Sequence, residues 1–161
     1  MLAAAFVTLP TLVLPSWWTF NHSASLPRGL YWYVSAPREL RRGTLACFEY
    51  VAPAWAESRH YFPAGAQLCK VVLGLPGDRV VRNGSQVSVC GPAECHFVGR
   101  LLSTDSHGRK AVAADLPAVI PPRKFYLGSN RVLNSFDSRY LGLIDQAAIT
   151  RVIYPLVTEG G

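Results

Sequence analysis

The stretch LAAAFVTLPTLVLPSWWTF, residues 2–20, contains no charged side chain over nineteen positions. A helix needs about 20 apolar residues to cross the hydrocarbon core of a bilayer, so the length suffices. The stretch also lacks the polar stripe of a helix packed against a protein core. Pro10 and Pro15 weaken it as a helix, although membrane-spanning helices tolerate proline better than soluble ones do. We therefore expect residues 1–20 to form an N-terminal transmembrane anchor helix.

A cleaved signal peptide is the rival interpretation of this segment. It would need a positively charged start, which is missing apart from the terminal amine, and its cleavage site would fall at Ser23-Ala24-Ser25. Trp17 and Trp18 stand at the end of the stretch, where interfacial aromatic residues are common. The sequence favours a retained segment, as an anchor or uncleaved signal, with residues 21–161 as one domain outside the cytoplasm.

From residue 30 onward the chain indicates a mostly β fold. β-branched and aromatic runs alternate with glycine, proline and asparagine turns, and no long stretch has the 3.6-residue helical period. Asn83-Gly84 predicts a hairpin turn inside DRVVRNGSQVSVC, and His107-Gly108 predicts a second one. We expect a compact, antiparallel β domain. The candidate strands are LYWYV (30–34), TLACFEYV (44–51), QLCKVVLG (67–74), KFYLGS (124–129) and the closing AAITRVIYPLV.

The charge pattern argues against a nucleic-acid partner. The net charge is +6, but only Arg38, Arg41 and Arg42 form a cluster, and charged residues make up 16% of the chain. A soluble domain has about 25% charged residues, and a nucleic-acid binder concentrates its basic residues on one face or helix. The pattern favours a basic surface near anionic lipid headgroups, with the membrane as partner.

The cysteines suggest an oxidising compartment. Cys90 and Cys95 bracket Gly91-Pro92-Ala93-Glu94, a turn-like segment that could bring two thiols within bonding distance. Adjacent His96 suggests zinc, but zinc sites usually pair two ligand knuckles, and Cys47 and Cys69 stand alone. A Cys90–Cys95 disulfide is the favoured interpretation. A zinc or redox protein is the alternative, and the sequence leaves the partners of Cys47 and Cys69 open.

Several common catalytic signatures are absent from the sequence. It contains no GxSxG, HExxH, Walker A or GxGxxG motif, and no histidine falls into a recognisable Ser/His/Asp arrangement. Ser25 lies shortly before a proline, which favours extended backbone there, and Lys70 lies inside an apolar strand. Taken singly, each has an ordinary structural interpretation. These residues belong to a set of three notable segments: NHSASLPRGLYW (21–32), LCKVVLGLPGDRV (68–80) and LGSNRVLNSFDSRYLG (127–142).

In this order and spacing, the three segments resemble the motifs of the signal peptidase I family of serine peptidases. The resemblance implies an antiparallel β domain of the signal peptidase I type. It also implies that Ser25 is the nucleophile and Lys70 its general base. The oxyanion hole would be formed by the Ser25 backbone N–H and the Ser23 hydroxyl.

The third segment resembles the GDNxxNSxDSRxxG box of that family. The resemblance implies that Ser135 hydrogen-bonds the lysine amine, and that Asp137 with Arg139 braces the loop. It implies no metal and no cofactor. Two departures concern the lysine pocket: Ser129 replaces the usual acidic residue, and Cys69 precedes the lysine where an aromatic residue is common.

A serine–lysine pair places a demand on the lysine. A serine hydroxyl is a weak nucleophile until a base takes its proton, and a lysine with an ordinary pKa near 10.4 is charged at neutral pH. Lowering that pKa by ~2–3 units takes roughly 3–4 kcal/mol, for which desolvation is the natural source. A carboxylate paired with Lys70 would stabilise its charge. We therefore expect Asp137 to pair with Arg139 instead.

The segment SLPRGLYW is most similar to the conjugative-transfer (TraF-like) branch of the family. The resemblance implies a membrane-anchored serine endopeptidase that cleaves signal or leader peptides from exported precursors, pilin among them. The expected location is the bacterial inner membrane, with a single pass and a periplasmic catalytic domain. Whether the cut chain is hydrolysed or transferred to an internal amine stays open. The alternative is an inactive β domain that scaffolds a membrane secretion or transfer complex.

Overall fold

The computed structural model describes residues 17–63, 65–129, 131–132 and 134–159. In these residues the regular structure is mostly β, and every strand pairing is antiparallel, which confirms the predicted antiparallel β domain. One short helix, α1 (Ser138–Leu141), and two 3₁₀ turns, Ala54–Arg59 and Gln146–Ala148, accompany the strands. The strands are β1 (Trp18–Asn21), β2 (Gly29–Ser35), β3 (Leu45–Glu49), β4 (Gln67–Gly74), β5 (Arg79–Asn83), β6 (Gln86–Cys90), β7 (Cys95–Arg100), β8 (Lys124–Gly128), β9 (Ile144–Asp145) and β10 (Ile149–Thr158).

The strands form two sheets of unequal size. The larger has seven strands in the order β1-β2-β10-β3-β4-β8-β9, and the smaller has three in the order β5-β6-β7. β10 therefore lies between β2 and β3, which are far from it in sequence. The main core lies on one face of the large sheet and includes Phe48, Leu68, Val72, Leu127 and Val152.

The first predicted hairpin is present with a shifted turn, and the second is reduced to a turn. In the β5–β6 hairpin Asn83 pairs with Gln86, so the loop residues are Gly84 and Ser85 rather than Asn83 and Gly84. Gly84 has φ of 59° at the first loop position, where a type II′ turn takes glycine. The second predicted hairpin is a turn with one isolated bridge, Thr104 to Lys110, and no extended arms.

The predicted anchor helix lies mainly outside the described residues, which begin at Trp17. Its last residues do not continue a helix. Trp18–Asn21 form β1, and Trp18 pairs with Trp32 of β2. Within the described ranges, no helix has both the length and the apolar character needed to cross a bilayer.

An exposed aromatic row crosses three neighbouring strands. Trp18 lies opposite Trp32, which lies opposite Tyr154, and their exposed fractions are 40%, 41% and 55%. Directly opposed residues of an antiparallel sheet point to the same face. Phe20 and Val157 lie opposite Leu30 in the next row and are exposed as well. This β1–β2–β10 face is therefore a large apolar surface open to its surroundings.

All four cysteines form disulfides. The predicted Cys90–Cys95 bond joins the ends of β6 and β7, and a second bond joins Cys47 and Cys69, which face each other across β3 and β4. No free cysteine is left to ligate zinc in this state. Leu26 and Tyr31 pack on the Cys47 side of the large sheet, next to the second disulfide.

Candidate active site

Lys70 occupies an inward position of a β-strand. Burial alternates along β4, and Lys70 falls in step with Leu68 and Val72, whose side chains belong to the main core. Because successive side chains of a strand point to opposite faces, the lysine must share the buried face with them. Lys70 is 7% exposed. The sequence pattern that builds the strand thus places an amine where an apolar side chain is normally found.

Burial lowers the pKa of the Lys70 amine below its ordinary value, because desolvation disfavours the charged form. The charge of Asp137 acts in the opposite direction, and that of Arg139 adds to the lowering. The amine donates a hydrogen bond to Ser135 Oγ over 3.2 Å. Since Ser135 is neutral, it orients the amine without the charge stabilisation that a carboxylate partner would bring.

The carboxylate of Asp137 is paired with the guanidinium of Arg139. Arg139 Nε donates to Asp137 Oδ1 and Arg139 Nη2 to Oδ2, each over 2.8 Å. Both side chains are fully buried in this ion pair. A bidentate pair of this kind is among the strongest hydrogen-bonded contacts in proteins. Among the described residues, the Asp137 carboxylate therefore acts on the charge of Lys70 without forming a salt bridge with it.

Arg139 also ties together the backbone behind the site. It donates from Nη1 to the carbonyl of Arg100 over 2.7 Å, and from Nη2 to the carbonyl of Ser135 over 3.2 Å. Gly99 gives the guanidinium its room, because a Cβ there would lie 2.8 Å from Arg139 Cζ. These contacts link the Ser135 loop to the backbone at Arg100.

Ser25 lies in the loop between β1 and β2 and is 7% exposed. It lines a cavity of about 350 Å³ together with Ser23, Lys70 and several apolar side chains. Ser25 Oγ lies 3.1 Å from Ser23 Oγ. In the described part of the chain, Ser25 Oγ and Lys70 Nζ share the cavity but are not joined by a hydrogen bond.

Ser129 connects the serine loop to the ion pair. Its hydroxyl donates to the carbonyl oxygen of Ser25 over 2.6 Å, and its backbone N–H donates to Asp137 Oδ2 over 3.3 Å. It is 1% exposed. This contact gives a physical reason for the departure from the family motif. An acidic side chain at this position would place a carboxylate against the Ser25 carbonyl, two acceptors without a proton between them.

Asn21 is a residue that the sequence analysis missed. Its side-chain amide nitrogen donates to the carbonyls of Ser23, Leu26 and Pro27, and its oxygen accepts from Ser23. One side chain therefore holds the whole loop that carries Ser25. The sequence carried one signal, since asparagine often hydrogen-bonds the backbone two residues further on.

The assembled site brings a hydroxyl and a desolvated amine into one cavity. A neutral lysine amine has a lone pair that can accept the proton of a nearby hydroxyl. The Ser23 hydroxyl lies beside the nucleophile candidate, whereas Ser135, Asp137 and Arg139 lie behind the lysine. A cavity lined by both a serine hydroxyl and a desolvated amine could bring the two groups to one substrate.

Comparison with known proteins identifies the family and the relatives of this chain. The family described as "Signal peptidase, peptidase S26" matches residues 1–154. The conjugal transfer protein TraF of Agrobacterium fabrum (strain C58) is 32% identical over 158 residues, covering 86% of this chain and 81% of its own length. The plasmid transfer protein TraF of Escherichia coli is 31% identical over 152 residues, with the same coverage.

Among solved structures, the chain is similar to a signal peptidase I from Enterococcus faecalis V583. The sequence identity is 16% and the TM-score 0.45, over 74% of this chain and 100% of that one. The family assignment itself rests on the match over residues 1–154 and on the TraF relatives. The chain therefore belongs to the S26 signal peptidase family, within its TraF branch.

Proposed function

We propose that the protein is a serine endopeptidase in which Ser25 is the nucleophile and Lys70 the general base. The observation that carries the proposal is the state of Lys70. Its amine is buried in the Ser25 cavity and its pKa is lowered, while the carboxylate of Asp137 is occupied by Arg139. A lysine so placed is suited to be neutral and basic rather than to form a structural ion pair.

In the proposed reaction, Ser25 Oγ attacks the carbonyl carbon of the scissile peptide bond and gives its proton to Lys70 Nζ. The C–N bond then breaks, and the lysine returns the proton to the departing amine. A water, or an amine of the substrate itself, attacks the acyl-enzyme ester and releases Ser25. The Ser25 backbone N–H stabilises the oxyanion, with Ser23 as the second donor, and such a donor is worth roughly 10²–10³ in rate.

The proposed substrates are exported precursors of a conjugative transfer system, pilin among them. The support for this step is that the relatives with about 30% identity are named for conjugal and plasmid transfer. The apolar character of the Ser25 cavity, with Leu26, Leu68 and Ile153 among its lining residues, suits a substrate segment with uncharged side chains.

We further propose that the protein acts at the periplasmic face of the bacterial inner membrane, attached by residues 1–20. The uncharged stretch of residues 2–20 supports attachment. The exposed row of Trp18, Trp32 and Tyr154 suits the headgroup region, where aromatic side chains with a polar edge concentrate. Two disulfides suit an oxidising compartment.

The test is co-expression of the full chain with candidate pilin and other exported precursors, followed by intact-mass measurement. Wild-type protein should shorten a precursor, and Ser25→Ala and Lys70→Ala should each abolish the cut. Exposed Ser85→Ala and Lys110→Ala serve as matched controls and should cut normally. A product lighter by one water than the hydrolysed chain indicates transfer to an internal amine. Near-full activity of Lys70→Ala would refute the dyad. If the wild type cleaves no precursor either, the result would favour the scaffold alternative.

A further inference from the structure

The amide of Asn21 has only one orientation compatible with its partners. Its Nδ2 faces three carbonyl oxygens, those of Ser23, Leu26 and Pro27, at 2.9, 3.1 and 3.0 Å. Its Oδ1 faces the Ser23 backbone N–H at 3.1 Å. Carbonyls only accept and an N–H only donates, so exchanging the two ends of the amide would oppose like groups at every contact.

This orientation determines where the Ser23 proton lies. Asn21 Oδ1 also lies 2.8 Å from Ser23 Oγ. Because a carbonyl oxygen has no proton to give, Ser23 must donate in this contact, and a serine hydroxyl has only one proton. The remaining contact of 3.1 Å, between Ser23 Oγ and Ser25 Oγ, must then be donated by Ser25. The hydrogen bonds run from Ser25 to Ser23 to Asn21.

We infer that Asn21 is a positioning residue for the substrate-free site. It accepts a hydrogen bond from the Ser23 hydroxyl, so that Ser23 in turn accepts a hydrogen bond from the Ser25 hydroxyl. The inference rests on the proposed function and adds a step to it. While Ser23 donates to Asn21, it has no proton for an oxyanion. It becomes an oxyanion donor only when its hydroxyl turns away from Asn21 Oδ1, as Ser25 Oγ attacks the carbonyl carbon, gives its proton to Lys70 Nζ and the oxyanion forms.

The substrate supplies the driving force for this switch. An oxyanion is a charged acceptor, and hydrogen bonds to charged acceptors are roughly twice as strong as those to a neutral amide. The three bonds from Asn21 Nδ2 to the loop carbonyls do not involve the Ser23 hydroxyl. The loop can therefore keep its backbone in place while a single hydroxyl rotates.

A double-mutant cycle tests the coupling. We would measure kcat and KM on one precursor peptide for the wild type, Asn21→Ala, Ser23→Ala and the double variant. Ser23→Ala removes the second oxyanion donor, and Asn21→Ala removes the contacts that hold that donor beside Ser25. Each change should therefore lower kcat ~10–100-fold with a smaller effect on KM. The double variant should be no more than about threefold worse than the poorer single variant, because both act through the same hydroxyl. Asn83→Ala, in the exposed β5–β6 hairpin, is the control. It should leave kcat unchanged both in the wild type and in Ser23→Ala.

Multiplicative losses in the double variant would overturn the inference, as would Asn21→Ala with wild-type kcat. Either result would leave the proposed function intact, because that function fails only if the wild type does not cleave, or if Ser25→Ala or Lys70→Ala does.

A second variant covers the case in which Asn21→Ala does not fold. Asn21→Asp keeps an acceptor for Ser23 but points a second oxygen at three carbonyls, which should raise the pKa of the new carboxyl. Its stability deficit against the wild type should be large at about pH 8 and shrink as the pH falls and the carboxyl gains a proton. Equal thermal midpoints at about pH 8 would show that the three-carbonyl contact is absent and overturn the inference.

Discussion

Lys70 Nζ and Ser135 Oγ lie 3.2 Å apart, and both side chains are almost completely buried. The hydroxyl is the hydrogen-bond partner that fixes the direction of the amine, yet it carries no charge that would raise the pKa of the lysine. The neutral hydroxyl directs the Lys70 amine. Burial lowers the pKa of that amine, so it becomes neutral at a lower pH than an exposed lysine does.

Replacing Ser135 with alanine should slow catalysis without removing the base. The loss of one hydrogen bond, worth about 1.4 kcal/mol, corresponds to a drop of about tenfold in kcat. Ser135→Thr keeps the hydroxyl and should recover part of the rate. Steady-state kinetics on a precursor peptide measures the effect, and an unchanged kcat in Ser135→Ala would show that the contact does not orient the base.

The pH dependence of kcat/KM should report the lysine. Only the neutral amine can act as the base, so activity should rise with pH and level off above the pKa of Lys70 in the free enzyme. Burial lowers that pKa, so the midpoint should lie below the ordinary lysine value of 10.5. A pH–rate profile between about pH 6 and pH 10 would locate it. A midpoint at the ordinary lysine value would contradict desolvation as the means of activation.

Lys70→Met should abolish activity while leaving the protein at least as stable as the wild type near neutral pH. Between the lowered folded pKa and the unfolded value, the unfolded wild type binds more protons than the folded form, so wild-type stability rises with pH. The methionine side chain has no charge, so its burial carries no pH-dependent cost in unfolding free energy. The advantage of Lys70→Met in urea unfolding should therefore be largest at low pH and narrow toward about pH 10, whereas exposed Lys110→Met should show no such trend.

Breaking the Asp137–Arg139 pair should be costly for the fold. Asp137→Ala would leave a buried guanidinium without its carboxylate, for which a loss of about 3–5 kcal/mol in unfolding free energy is expected. Asp105→Ala makes a comparison at a less deeply buried pair, since Asp105 contacts the partly exposed Arg109. Denaturant unfolding measures both. A loss below about 1 kcal/mol in Asp137→Ala would mean that Arg139 finds another partner.

The aromatic row should contribute to membrane association rather than to chemistry. The double change Trp18→Ser and Trp32→Ser should lower binding of the full chain to anionic lipid vesicles several-fold, because it removes exposed apolar area from one face. Cleavage of a short soluble peptide should change little. Phe97→Ser, which alters an exposed aromatic residue on the smaller sheet, is the matched control. Equal vesicle binding by all three proteins would exclude the row as a membrane contact.

The strand pattern was predictable because it is local. QLCKVVLG alternates in step with the two faces of a sheet, and β4 occupies those residues, with Lys70 as the polar exception inside. The position of the hairpin turn was displaced by one residue because Asn83-Gly84 and Gly84-Ser85 are both acceptable turn pairs, and the choice depends on the register of β5 against β6.

Other features depend on contacts that no local pattern contains. Cys47 and Cys69 form a disulfide because β3 and β4 pair in one register, and the sequence does not show which strands are neighbours. Asn21 was missed because its importance lies in the carbonyls of Leu26 and Pro27, which only the folded loop brings to it. The same holds for Ser129, whose partner is 104 positions away in the chain.

The position of β10 has a consequence for the order in which the candidate site is assembled. Ser25 follows β1, Lys70 lies on β4, and β10 is the strand that joins the β1–β2 pair to β3 and β4 within the sheet. Residues 149–158 leave the ribosome after both candidate catalytic side chains. Until residues 149–158 are made, a growing chain lacks the strand that joins the β1–β2 pair to β3 and β4. If the proposed function holds, we expect the complete site to form only after this strand has been synthesised, so that the order of synthesis delays proteolysis.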